Sequence, residues 1–189
     1  MKICVYGASS NKIDKRYIEA TEELGEKIAK RSHELVYGAG SNGLMGAVAR
    51  GMTKGGGKII GIVPSFFNVD GVLYEKCDEI IYTETMRERK QIMEDEADAF
   101  VMVAGGLGTF DEFFEILTLK QLARHSKPIA ILNTLGYYDK LLQFLEHASE
   151  EGFVRKDYVE MLKIFDNADA LIDYLENYDG RLTLFKDLK

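Results

Sequence analysis

The feature that most constrains the fold is the alternation of short apolar runs with longer amphipathic segments along the chain. Seven runs are short and almost unbroken in their apolar character. These predicted strands are Lys2–Gly7, Glu34–Tyr37, Lys58–Val63, Asp78–Thr83, Ala99–Val103, Pro128–Leu132 and Lys163–Phe165. Such strands are typical of parallel sheets that helices cover on both faces. The sequence therefore predicts an α/β fold with a Rossmann-like, doubly wound parallel sheet of about seven strands.

The segments between these runs carry apolar residues at helical spacing. In Lys15–Arg31, for example, Ile18, Leu24 and Ile28 fall on one face. Further predicted helices are Leu44–Lys54, Thr85–Ala97, Phe110–Arg124, Tyr138–Glu150 and Ala168–Tyr178. No repeat, linker or low-complexity tract divides the chain, so we expect a single domain over residues 1–189.

A glycine-rich stretch, Ala104–Glu112, stands between the fifth predicted strand and a predicted helix. Glycines in this place let backbone N–H groups point outward and surround an anion, and the positive end of the helix dipole strengthens the attraction. The stretch is not a P-loop, because no Gly-Lys-Ser/Thr sequence ends it. It predicts a phosphate site, with a tight structural turn as the alternative. The candidate residues are Gly105, Gly106, Leu107, Gly108 and Thr109.

Glu112 lies three residues after Thr109, and this spacing permits two interpretations. Thr-x-x-Glu is the capping-box pattern, in which both side chains only satisfy amides at the start of a helix. Alternatively, a carboxylate that repels a bound phosphate is there to act on what the phosphate carries. The local pattern by itself favours the cap.

A second set of side chains lies in the helix before this stretch. Met86, Arg89, Lys90 and Met93 follow at spacings of three and four residues, which places them on neighbouring faces of that helix. Arg89 and Lys90 offer positive charge to a phosphate or ribose, and the methionines offer apolar contact to a flat ring. The alternative is a solvated basic edge among acidic neighbours.

Another glycine run, Gly38–Gly43, matches G-x-G-x-x-G between a predicted strand and a predicted helix. NAD binding also requires an acidic residue at the end of the next strand, to contact the ribose hydroxyls. The next strand, Lys58–Val63, instead runs into Pro64 and Ser65. We therefore expect a close turn that packs the helix on the sheet, with a phosphate or sugar contact left open.

Helix Phe110–Arg124 is apolar around most of its circumference. Its apolar positions are Phe110, Phe113, Phe114, Ile116, Leu117, Leu119 and Leu122. Because a sheet covers only one face of a helix, we expect a partner subunit in a homodimer to cover the rest. Burial under the C-terminal helices is the alternative.

Charge and composition exclude several functions. The net charge of −7 disfavours nucleic acid and anionic membranes as partners. No apolar run is long enough to span a membrane. Cys4 and Cys77 lack metal-ligand spacing, and His33, His125 and His147 form neither a metal pattern nor a catalytic triad. We expect a cytoplasmic protein without a metal or other cofactor.

Taken together, these segments resemble the Lonely Guy (LOG) family of cytokinin-activating nucleoside 5′-monophosphate phosphoribohydrolases, long mislabelled lysine decarboxylases. The family's Pro-Gly-Gly-x-Gly-Thr-x-x-Glu segment is matched by Ala104–Glu112, and its Met-x-x-Arg-Lys segment by Met86–Lys90. Further matches are Gly38–Gly46, Gly61–Pro64, Lys127–Pro128 and Gly136–Asp139. The resemblance extends from Lys2 to Val154.

The resemblance implies hydrolysis of the bond between base and ribose in AMP-like or N6-substituted adenosine 5′-monophosphates, with free base and ribose 5-phosphate as products. It implies Arg89 and Glu112 as the catalytic pair, and the glycine loop as the phosphate site. The other implied substrate-binding residues are Ser9, Met86, Lys90, Glu115 and Thr118. We also expect the segment Ser65–Lys76 to lie on the side of the base.

Ala104 departs from the family pattern, which has proline at this position. Without the fixed φ of proline, the start of the loop is less restrained. A second hypothesis therefore stays open, in which the chain is a nucleotide- or molybdenum-cofactor-binding carrier without turnover. A pyridoxal-phosphate decarboxylase would need a Schiff-base lysine, and the sequence singles none out.

Overall fold

The computed structural model describes residues 1–69, 71–159 and 161–180, and these residues form one seven-stranded sheet. The strands are β1 (Lys2–Tyr6), β2 (Glu34–Tyr37), β3 (Ile59–Pro64), β4 (Glu79–Thr83), β5 (Ala99–Met102), β6 (Ile129–Leu132) and β7 (Lys163–Phe165). All pair in parallel, in the order β4-β3-β2-β1-β5-β6-β7. The predicted fold class is confirmed, and every strand begins and ends within one residue of its predicted position.

Within the described residues, seven α-helices connect the strands or follow them. They are α1 (Lys15–Lys30), α2 (Gly43–Gly55), α3 (Met86–Glu96), α4 (Leu107–Gln121), α5 (Asp139–Glu150), α6 (Lys156–Val159) and α7 (Ala168–Glu176). The sequence did not predict the short α6, or the 3-10 turns at Ser65–Phe67 and Thr134–Gly136. No helix within the described residues has the length and apolar composition needed to cross a membrane. The end of the predicted domain, residues 181–189, lies outside the described residues.

The helices cover the sheet on both faces. Side chains alternate along each strand, so Ile3 and Val5 of β1 join one apolar core, whereas Cys4 and Tyr6 join the other. The first core is closed by α1, α2 and α7, and the second by α3, α4 and α5. This two-sided burial explains why the strands are apolar almost throughout.

The order of the strands reverses between β1 and β5. From β1 the chain proceeds to β2 on one side, and from β5 it proceeds to β6 on the other. Tyr6 pairs with Met102, so the two strands end at the same level of the sheet. Loops that leave neighbouring strands in opposite directions open a crevice, which is where doubly wound folds bind their ligands.

Candidate active site

A cleft of about 540 Å³ lies in this crevice, within the size range of small-molecule sites. Eight of the predicted site residues, from three separate segments of the chain, line it together. They are Ser9, Met86, Arg89, Gly106, Leu107, Gly108, Thr109 and Glu112. Gly105 is buried directly behind them, since a Cβ on this residue would lie 2.1 Å from the Thr109 hydroxyl.

The helix that carries Glu112 begins earlier than the sequence predicted. Its first residue is Leu107 instead of Phe110, and Gly106 is the N-cap, without a side-chain cap. Thr109 and Glu112 therefore lie inside the helix, and the capping-box interpretation of this pair is wrong. The prediction missed the start of the helix because Gly106 and Gly108, which precede the apolar stripe, carry no helical pattern.

The first turn of α4 leaves three backbone N–H groups without a partner among the described residues. Phe110 makes the first bond of the helix, from its N–H to the Gly106 carbonyl at 2.9 Å. The N–H groups of Leu107, Gly108 and Thr109 precede it. No acidic residue occupies this turn. Free amides at the positive end of a 15-residue helix attract an anion, and this turn lines the cleft.

Arg89 and Glu112 form a buried ion pair on the floor of the same cleft. Arg89 Nη1 donates to Glu112 Oε1 at 2.7 Å, and the two side chains are 9% and 12% exposed. Arg89 Nε donates to the Ile62 carbonyl at 3.1 Å, which fixes the plane of the guanidinium. A Cβ on Gly38 would lie 2.1 Å from Arg89 Nη2. One glycine of the G-x-G-x-x-G run therefore makes room for this arginine.

Burial controls the acidity of Glu112. Removal from water raises the pKa of this carboxyl above its ordinary value, while the charge and hydrogen bond of Arg89 act in the opposite direction. A carboxyl group with raised proton affinity, in contact with a cation and a cleft, has the properties of catalytic carboxyl groups.

The other three predicted site residues lie away from this cleft. Lys90 Nζ forms ion pairs with Asp111 Oδ2 at 3.1 Å and with Glu115 Oε2 at 2.7 Å. These side chains and Thr118 border the outer surface of α4. Lys90 and Glu115 line an adjoining pocket together with Glu112. Neither they nor Thr118 line the cleft that holds Arg89 and Glu112.

The Gly38–Gly43 loop differs from the loop before α4, because the protein itself occupies its amides. The N–H groups of Leu44 and Met45 donate to the Ala8 carbonyl at 2.8 and 3.3 Å. The Gly43 N–H donates to Asn11 Oδ1 at 2.8 Å. The amides that a dinucleotide pyrophosphate would need are thus already bonded. This geometry agrees with the predicted structural turn.

An apolar wall of the cleft comes from residues that the sequence did not single out. They are Met45, Val63, Phe67, Val72 and Leu73. Three of them belong to the segment Ser65–Lys76, which is held against the first glycine loop by a bond from the Ser41 N–H to the Val72 carbonyl at 2.9 Å. No periodic pattern marks this wall, because its residues come from a helix, the end of a strand and the segment between β3 and β4. Contact with a base stays a prediction.

Comparison with known proteins points to one family. The profile of a family described as "Possible lysine decarboxylase" matches residues 45–175. The chain is 38% identical over 177 residues to cytokinin riboside 5′-monophosphate phosphoribohydrolase LOG2 of Arabidopsis thaliana, covering 94% of this chain and 83% of the relative. It is also 38% identical over 177 residues to the probable phosphoribohydrolase LOGL9 of Oryza sativa subsp. japonica, covering 94% and 78%.

Solved structures share the fold. The molybdenum cofactor binding protein of Rippkaea orientalis has a TM-score of 0.72 over 93% of this chain and 94% of that chain. Their sequences are 22% identical, so this likeness concerns the fold alone.

Proposed function

Since the chain belongs to the Lonely Guy (LOG) family of cytokinin riboside 5′-monophosphate phosphoribohydrolases, we propose that it hydrolyses the N-glycosidic bond of purine nucleoside 5′-monophosphates. The products are the free base and ribose 5-phosphate. AMP and N6-substituted adenosine monophosphates are the proposed substrates. The observation that carries the proposal is the buried Arg89–Glu112 pair beside the free amides of α4, in a single cleft.

In the proposed binding mode, the two ends of the cleft contact different parts of the substrate. The 5′-phosphate accepts hydrogen bonds from the amides of Leu107, Gly108 and Thr109. The base lies against the apolar wall that includes Phe67 and Leu73. The ribose then lies between them, next to Glu112.

The proposed chemistry uses the charge of Glu112. Cleavage of an N-glycoside passes through a transition state with oxocarbenium character, in which positive charge develops on the ribose. Water forms a bond to C1′ as the C1′–N bond breaks, its hydroxyl stays on the ribose, and the proton that it loses ends on the departing base. The Glu112 carboxylate stabilises the developing charge or orients the water. Arg89 holds this carboxylate in position, because the Ile62 carbonyl fixes its guanidinium.

Decarboxylation of lysine has no support in the cleft. A pyridoxal-phosphate enzyme forms a Schiff base with a lysine in its pocket. None of the described residues that line the cleft is a lysine. Lys90, the nearest in sequence to the site, is bound to Asp111 and Glu115.

The test is release of base. Purified protein is incubated with AMP and with isopentenyladenosine monophosphate, and free base is measured by chromatography. We expect base from the wild type. A carrier without turnover would instead bind AMP, with a rise in melting temperature, and release no base. Absence of base from every purine monophosphate tested would refute the proposed hydrolase activity.

We also propose a homodimer through the outer face of α4. Leu107 and Leu122 are 87% and 51% exposed, and Phe110, Phe114 and Leu119 border the same surface. A second copy on this face would remove a contiguous apolar area from water. Light scattering should give the mass of a dimer for the wild type and of a monomer for Phe114→Asp. A monomeric wild type would contradict the proposal.

We propose a cytoplasmic location, because Cys4 and Cys77 are both free thiols and a reducing compartment keeps thiols in this state. Fractionation of cells that express the protein should find it with cytoplasmic enzymes. Recovery from an oxidising compartment would contradict this location.

A further inference from the structure

Two adjacent tyrosines reach from the connection between β6 and α5 to the loop that follows β5. The Tyr138 hydroxyl donates to the Val103 carbonyl at 2.8 Å. The Tyr137 hydroxyl donates to the Gly105 carbonyl, also at 2.8 Å. These two carbonyls flank Ala104, so side chains from another part of the chain hold the loop on both sides of its first residue.

We propose that Tyr137 and Tyr138 are positioning residues that orient the loop amides for the phosphate of the substrate. The C=O and N–H of a trans peptide point in opposite directions. A Gly105 carbonyl held by Tyr137 therefore turns the Gly106 N–H to the opposite side. Gly106 lines the cleft and directly precedes the free amides of α4. The proposal rests on the assignment of this loop to the substrate phosphate.

The loop needs such restraint because its own residues provide little. Ala104 does not fix φ as a proline would, and a glycine such as Gly106 has a wide range of accessible backbone conformations. A Cβ on Gly106 would meet no atom within 4 Å, so packing does not confine this residue. A loop that must become ordered on binding loses affinity, and restraint in the free protein avoids this loss.

The tyrosines are themselves held firmly. The Tyr138 ring is buried and contacts Phe110 of α4, while its N–H donates to Asn133 Oδ1 at 2.8 Å. Burial raises the pKa of Tyr138, so its hydroxyl keeps the proton that it donates. The Tyr137 ring stands edge-on against Tyr138 and Tyr17, with ring centroids 4.8 and 5.8 Å away.

The backbone before the tyrosines adopts a costly conformation. Leu135 and Gly136 have φ values of 55° and 67°. This left-handed region is unfavourable for leucine. A bond from Asn133 Nδ2 to Asp139 Oδ1 at 2.7 Å closes the turn. The chain thus maintains a strained turn at the point where it directs two hydroxyls onto the loop.

The test compares two ligands by isothermal titration calorimetry. Ribose 5-phosphate carries the phosphate, whereas adenosine lacks it. Tyr137→Phe removes one hydroxyl at a half-exposed ring, so we expect it to fold. Its affinity for ribose 5-phosphate should fall about fivefold, the effect of one hydrogen bond, while its affinity for adenosine stays unchanged.

The control is Tyr17→Phe, which keeps the ring contact with Tyr137 and removes a hydroxyl that makes no bond to the loop among the described residues. It should bind ribose 5-phosphate as the wild type does. Tyr138→Phe gives a second case, and a melting curve checks that this variant is folded. The ratio of its affinities for ribose 5-phosphate and adenosine reports on the phosphate site even if the variant is less stable. Equal changes for both ligands, or none for ribose 5-phosphate, would overturn the proposal.

The proposed function and the tyrosine proposal fail in different ways. If the wild type releases no base from AMP but Tyr137→Phe still loses affinity only for ribose 5-phosphate, the hydrolase is refuted and the positioning role stands. If the wild type releases base and Tyr137→Phe binds ribose 5-phosphate normally, the positioning role is refuted and the hydrolase stands.

Discussion

The two glycine loops of this sheet have the same local design but differ in whether their amides are bonded. The first loop is Gly38–Gly43 before α2, and the second loop is Ala104–Gly106 before α4. Each lies between a parallel strand and a helix of more than twelve residues. At the start of α2, the Ala8 carbonyl and the Asn11 side chain accept hydrogen bonds from the amides. At the start of α4, the described residues leave three amides free, next to Arg89 and Glu112. What packs against a glycine loop, and not its sequence pattern, determines whether it can bind an anion.

The largest expected effect concerns the carboxylate that only the second loop has beside it. Glu112→Gln keeps the shape of the side chain and removes its charge, so base release from AMP should fall about a hundredfold or more. Binding of AMP should persist, because the α4 amides are unchanged. The control is Glu146→Gln, an exposed glutamate on α5. Equal rates for wild type and Glu112→Gln would remove this residue from the chemistry.

The second prediction compares alanine at one glycine near the start of α2 with alanine at one glycine near the start of α4. A Cβ on Gly46 would lie 1.9 Å from the Ser41 carbonyl oxygen, whereas a Cβ on Gly108 would meet nothing within 4 Å. Gly46→Ala should therefore lower the free energy of unfolding by about 3 kcal/mol. Gly108→Ala should leave it unchanged or raise it by about 0.5 kcal/mol, as alanine favours a helix. Urea denaturation measures both, and similar losses would contradict the comparison.

A smaller effect is expected where the first loop is bonded to a side chain. Asn11→Ala removes the acceptor of the Gly43 N–H and should cost about 1 kcal/mol of unfolding free energy, as loss of a helix cap does. Base release from AMP should stay at the wild-type rate. Loss of activity with unchanged stability would mean that the first loop takes part in catalysis.

The smallest expected effect is a shift of the pH profile. Burial raises the pKa of Glu112 above its ordinary value of 4.5, with Arg89 opposing. Because the reaction needs the ionised carboxylate, kcat/KM should fall as the pH decreases through this raised pKa. The acid limb of the profile should therefore lie above pH 4.5. An acid limb at or below pH 4.5 would show that burial does not raise the pKa of Glu112 in the active enzyme.

Much of the fold could be predicted from the sequence, because burial of the sheet on both faces leaves a strong local pattern. Apolar runs marked all seven strands, and helical periodicity marked α1, α2, α3, α5 and α7 to within two residues at each end. The bounds of α4 were the main error, because the helix begins and ends three residues earlier than predicted, and Leu107 and Gly108 carry no periodic signal. The Thr-x-x-Glu cap pattern does occur, at Thr85 and Glu88 of α3, where the Thr85 hydroxyl accepts from the Glu88 N–H.

The candidate site could be predicted only in part, because its contacts join distant segments. The resemblance pointed to Arg89 and Glu112, but their ion pair depends on the Ile62 carbonyl and on the space left by Gly38. The same resemblance grouped Lys90 with the site, whereas ion pairs with α4 hold it in an adjoining pocket that Glu112 also lines. The sequence also could not predict that the amides at the start of α2 are already hydrogen-bonded, since nothing in it places the Ala8 carbonyl beside them.

The most direct test of the account adds one negative charge to each loop and measures AMP affinity by calorimetry. Gly108→Asp places a carboxylate at the free amides of α4, and Asn42→Asp places one at the exposed N-cap of α2. We expect AMP affinity to fall tenfold or more, about 1.4 kcal/mol, in Gly108→Asp through repulsion of the phosphate. Asn42→Asp should stay close to the wild type. Equal losses in both variants, or a larger loss in Asn42→Asp, would contradict the assignment of the phosphate to the second loop.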